Sequence, residues 1–95
     1  MASPDIFESH NRLLFRVLMT DSHVGLTFAN LAAEADPGSD KRIRNQANAR
    51  KAYDTVLTIS RRTEMSDAEW RELTTSVDEL KHALEGLGEQ FHGRD

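Results

Sequence analysis

Between Trp70 and Phe91 the apolar residues fall at Trp70, Leu73, Val77, Leu80, Leu84, Leu87 and Phe91, with spacings that alternate between three and four. A strand cannot use that pattern, because it returns a side chain to the same face every second residue. An α-helix brings positions three and four apart onto one stripe. A stripe this narrow is a seam of coiled-coil type and requires a neighbouring helix at a shallow angle. The helix start stands just before it. Ser66 and Glu69 have the S-x-x-E spacing of a capping box, and Met65 and Trp70 occupy the positions of a hydrophobic staple. The pattern predicts a helix over about 66–87. Gly86 and Gly88 weaken its end and leave Phe91 in a short tail.

Two further helices follow from the punctuation. Ser3-Pro4-Asp5 reads as a helix start, and Asp36-Pro37-Gly38 as its stop, giving a first helix over about 4–35. Thr20-Asp21-Ser22 offers a break with Asp21 as a cap, which would make four helices. Because Val17, Asp21, Val24, Phe28, Leu31 and Ala35 keep one phase across it, a single long or gently kinked helix is the expectation. The second helix spans about 39–63. Its inward side is expected to hold Ile43, Ala47, Ala49, Ala52, Tyr53, Val56, Leu57 and Ile59. Alternating β-branched runs and hairpin dipeptides are missing. With 95 residues the chain makes one domain. The expected fold is all-α, a small antiparallel three-helix bundle, with the hairpin of the second and third helices as its stable core.

Charge is segregated along the chain. Residues 41–62 carry seven basic side chains against Asp54, while residues 66–89 carry seven acidic ones against Arg71 and Lys81. If these helices are antiparallel neighbours, their charges flank a shared seam and help select the pairing. Lys41, Arg44, Lys51 and Arg62 share a stripe with Asn48, Thr55 and Thr58, the pattern of a phosphate-tracking edge. The net charge of −4 and pI near 5.5 speak for a solvated face, and bulk affinity for nucleic acid is not expected.

Chemistry-bearing patterns are sparse. With no cysteine, disulfides and thiolate metal sites are excluded. His10, His23, His82 and His92 lack the H-E-x-x-H spacing of a zinc helix, and "DPGSD" has too few glycines for a phosphate loop. The residues of Asp21-Ser22-His23 diverge by about 100° each on a helix and form no triad. No metal, cofactor or catalysis is expected, nor a membrane span, and the default location is cytoplasmic. His10 reads as a helix-packing residue. Asp21 reads as a helix break or a buried carboxylate needing a partner.

The first helix carries two apolar stripes. The main one is Ile6, His10, Leu13, Val17, Val24, Phe28 and Leu31; a second runs through Phe15, Met19, Ser22, Leu26, Ala29 and Ala33. A helix in a three-helix bundle needs one apolar face, so the second stripe is the expected docking face. Phe15, Met19, Leu26, Ala29 and Ala33 would meet either the same stripe of a second copy or another protein's helix.

The segment Gly25–Leu57 combines an alanine-rich helix, a turn after Ala35-Asp36 and an A-x-x-x-Y pattern at Ala49 and Tyr53. It resembles the helical hairpins of tetratricopeptide and MIT-type domains. The connection is longer than in a tetratricopeptide, and no second repeat follows. The resemblance implies binding of a partner helix or peptide in an inter-helix groove.

Overall fold

A computed structural model of the chain describes residues 4–91. Three α-helices make up the fold: α1 (Pro4–Glu34), α2 (Asp40–Ser60) and α3 (Asp67–Gly86). No strand occurs among the described residues. The bundle is elongated, 57 × 26 × 17 Å. Helix α1 runs unbroken through Asp21, so the four-helix alternative does not arise. Ser3 lies outside the described residues.

Each connection has a local cause. Ser39 is extended and accepts from the Arg42 N–H at 3.2 Å, capping α2 after a turn in which Gly38 takes φ 78°. Helix α2 stops at Ser60, three residues before the expected end. There the Ser60 and Thr63 hydroxyls donate to the Leu57 and Ile59 carbonyls, and the Arg62 and Thr63 amides close tight turns onto Ile59 and Ser60. The capping box of α3 is complete. Ser66 Oγ accepts from the Glu69 N–H at 3.1 Å, and Glu69 Oε1 accepts from the Ser66 N–H at 3.0 Å. At its other end the Glu89 N–H reaches the Leu84 carbonyl and the Gly88 N–H the Glu85 carbonyl, the two bonds of a Schellman stop, with Gly88 at φ 99°.

Packing centres on α1, against which both shorter helices lie; α2 and α3 meet each other less extensively. The expected dominance of the α2–α3 hairpin is therefore replaced by a three-way bundle built around α1. Its core is Leu18, Ala29, Ala49, Tyr53, Val56, Leu73, Val77, Leu80 and Leu84. The α3 seam is as the spacing required, except that Trp70 is half exposed. On α2, Ile43 is 59% exposed and Ala47 is exposed, in contrast to the expected inward side.

Small residues set the approach of the axes. Ser22 and Ser76 are buried and hydrogen-bonded to each other across α1 and α3. A methyl group placed on Gly25 would lie 2.8 Å from Leu80 Cδ2 and 2.9 Å from Ala52 Cβ. The pairs Ser22–Ser76 and Gly25–Leu80 rise together, so α3 runs parallel to α1 while α2 runs antiparallel to both. Asp67 lies nine residues before Ser76, and Leu13 lies nine before Ser22. Residues 4–12 of α1 thus extend past the first residue of α3.

Candidate interaction surface

The inward face of α1 is not the stripe of large residues. It is Leu18, Ser22, Gly25, Ala29 and Ala32, all buried, with Phe15, Met19 and Phe28 packed at the margin. The five expected docking residues therefore do not form one free face. Ala29 is buried, Phe15 and Met19 pack against the core, Leu26 is half-buried, and Ala33 alone is exposed. The physical reason is proximity: two helices can approach α1 closely only where its side chains are small.

What this leaves outside is the stripe expected to be the core. Leu13 is 60% exposed, Val17 43%, Val24 44% and Leu31 37%. His10, Thr20 and Thr27 are exposed between them. Together, from His10 to Leu31, these seven positions alternate spacings of three and four over about 33 Å of helix at 1.5 Å per residue. Helix α1 thus carries two seams of coiled-coil spacing. One is filled by α2 and α3; the other faces outward. Ile6 belongs to the second by position, and its side chain lies outside the described residues.

The outward seam is not flat. A hollow of about 420 Å³ is lined by Leu13, Arg16, Val17, Thr20 and Asp21. A second, of about 320 Å³, lies between α1 and α2, with Asp21, Val24 and Phe28 on one side and Asn48, Lys51, Ala52 and Thr55 on the other. Asp21 lines both and is half-buried. Among the described residues the ion pairs are Arg50 with Asp54 at 3.2 Å and Arg50 with Glu89 at 3.0 Å, so neither Asp21 nor Arg16 is in one.

The basic stripe of α2 also lies elsewhere than expected. Lys41, Arg44, Lys51 and Arg62 are all exposed, and Lys51 borders the α1 groove. The α2 residues that face α3 are Tyr53, Leu57 and Ser60. The acidic helix thus does not balance the stripe. Between the two regions, charge pairing reduces to Arg50 with Glu89, which also accepts from Gln46 at 2.6 Å. Burial works against the Arg50 charge, but the hydrogen bonds to Asp54 and Glu89 outweigh it and hold the pKa above its ordinary value.

That ion pair fastens the tail. Phe91 packs edge-on to Tyr53, with ring centroids 4.9 Å apart at 63°, and takes Arg50 at 4.5 Å and Lys81 at 5.4 Å over its face. A smaller hollow of about 200 Å³ lies alongside, lined by Tyr53, Leu57, Trp70, Leu73 and Val77 among others. The burial of Tyr53 raises its pKa; the nearby Arg50 charge pulls it back, and Asp54 reinforces the rise.

Glu79-Leu80-Lys81-His82 has the E-x-x-H spacing used by carboxylate–histidine metal sites. Glu79 and His82 are exposed, and among the described residues no three His, Asp or Glu side chains come together to hold an ion. No described helix is long and apolar enough to cross a membrane. His10 is exposed at the end of the outward seam and does not pack within the bundle. No protein-family model matches the chain, and no curated protein or solved structure matches it.

Proposed function

We propose that this protein is a non-catalytic protein–protein interaction module that docks a helix along the outward seam of α1. One observation carries the reading. The bundle closes its core without Leu13, Val17, Val24 and Leu31, yet these residues stand at regular helical spacing and in the open. Exposed apolar side chains scattered singly need no explanation, but four aligned on one helical stripe, with His10, Thr20 and Thr27 at the other positions, are what a partner helix covers. The adjoining groove beside Phe28 and Lys51 suits the inter-helix docking that the tetratricopeptide and MIT-type resemblance implies.

A photo-crosslinking amino acid at Val17 or Val24, irradiated in cells of the native host, tests this. Covalent protein adducts are expected from both positions and not from Arg61, an exposed control beyond the seam. Seam positions that give no adduct, or only those also captured at Arg61, would refute it. The alternative is a nucleic-acid-associated accessory protein, and it rests on the exposure of Lys41, Arg44, Lys51 and Arg62 away from the α3 side of α2.

A further inference from the structure

We infer that the helix docked on α1 is the α1 of a second copy, parallel and in register; this rests on the docking reading above. The outward seam assigns the heptad positions. With Val17 at position a, the other a positions are His10, Val24 and Leu31, while Leu13, Thr20 and Thr27 take d. Two β-branched valines at successive a positions, with Leu13 at the first d position, suit a parallel pair of helices, while Thr20 and Thr27 make the other two d layers polar.

Charge then fixes the direction. In this register Arg16 is a g position and Asp21 is the e position five residues on. That is the spacing at which a parallel pair forms reciprocal bridges, Arg16 of each copy to Asp21 of the other. Asp21 is half-buried on the seam, and neither it nor Arg16 is ion-paired among the described residues. The second copy supplies what both lack.

The antiparallel alternative fails on the same ground. Helix α2 lies on one flank of the seam, beside Asp21 and Phe28. A two-fold axis relating antiparallel α1 helices puts both α2 helices on the same side of the pair. The edges bearing Lys41, Arg44 and Lys51 would then face each other, and the two Asp21 carboxylates would meet across the axis. A two-fold axis along parallel helices places the α2 helices on opposite sides and brings each Asp21 to an arginine. Such a pair is isologous and closed, as a stable dimer requires.

The chain has no cysteine, so single cysteines report the geometry cleanly. His10→Cys and Leu31→Cys stand at opposite ends of the seam and are exposed. Under mild oxidation each variant alone should form a covalent dimer. Covalent dimers only in a mixture of the two would mean antiparallel pairing and overturn the inference. The second measurement is sedimentation equilibrium. Arg16→Asp or Asp21→Arg should weaken the dimer about threefold to tenfold, because either substitution removes both exposed bridges. The double variant Arg16→Asp/Asp21→Arg should return to within about twofold of wild type. Weakening that adds in the double variant overturns the bridge and the register it sets. A purified wild type that stays monomeric at high micromolar concentration, while Val17 still captures a different protein in cells, overturns the self-pairing and leaves the docking reading standing.

Discussion

Replacing Gly25 by alanine should destabilise the bundle, although alanine is the better helix former. In an exposed helix interior the exchange gains about 0.8–1.0 kcal/mol. At Gly25 the new methyl would sit 2.8 Å from Leu80 Cδ2 and 2.9 Å from Ala52 Cβ, whereas carbon atoms rest at about 3.5–4.0 Å. Leu80 is fully buried, and the Ala52 methyl moves only with the α2 backbone. Overpacking of this kind costs about 1–3 kcal/mol, so the net loss is about 0–2 kcal/mol, up to several degrees in Tm for a chain this size. Gly86→Ala supplies the contrast, because nothing lies within 4 Å of its added methyl. It should stabilise by up to about 1 kcal/mol. Leu80→Ala alone should cost about 2–5 kcal/mol. The double variant Gly25→Ala/Leu80→Ala should lose at least about 1 kcal/mol less than the sum, since the new methyl enters space vacated by the leucine. Urea titrations followed by far-ultraviolet circular dichroism measure all four. A Gly25→Ala protein as much stabilised as Gly86→Ala, or strict additivity in the double variant, would refute the close approach of the three helices.

Gly88→Ala should cost about 1–2 kcal/mol from backbone strain alone, because its φ of 99° is unfavourable for any side chain while the space around it is open; denaturant titration checks this. Tyr53 is the only tyrosine, so the tyrosinate absorbance should titrate above the ordinary value of about 10. The folded state holds that proton more tightly than the unfolded chain, so this part of the stability is intact below about pH 10 and is lost as the pH rises beyond it. Tyr53→Phe should abolish it in alkaline melts. Duplex and single-stranded nucleic acid should give no detectable binding near physiological salt; salt-sensitive binding removed by Lys41, Arg44 and Lys51 reversal would favour the alternative reading.

The helices were legible because their signals are local. The Ser66–Glu69 box, the Asp36-Pro37-Gly38 turn and the α3 seam need only near neighbours in the chain. Which face of α1 points inward was not, because hydrophobicity is the wrong measure there. Leu13, Val17, Val24 and Leu31 outweigh Ser22, Gly25, Ala29 and Ala32 on any apolar scale, yet the small residues permit the contact with Leu80, Ala52 and Ser76. The signal was present as small side chains spaced three, four and three apart. The same inversion moved the candidate docking residues from Phe15 and Met19 to Val17 and Val24. The basic stripe was misplaced for a related reason: sequence adjacency of α2 and α3 says that they are neighbours, not which flank of α2 each neighbour occupies.

The claim that the outward seam pairs with its own copy is tested most directly by sedimentation velocity on wild type and Val17→Asp/Val24→Asp, each shown to be folded by its own melting curve. Both valines are more than two-fifths exposed, so the substitution should leave the melting of the isolated subunit nearly unchanged. The wild type should sediment increasingly as a dimer as its concentration rises through the micromolar range, and the variant should remain monomeric throughout. A variant that associates as the wild type does, or that unfolds as a buried substitution would, contradicts the assignment of the outward seam.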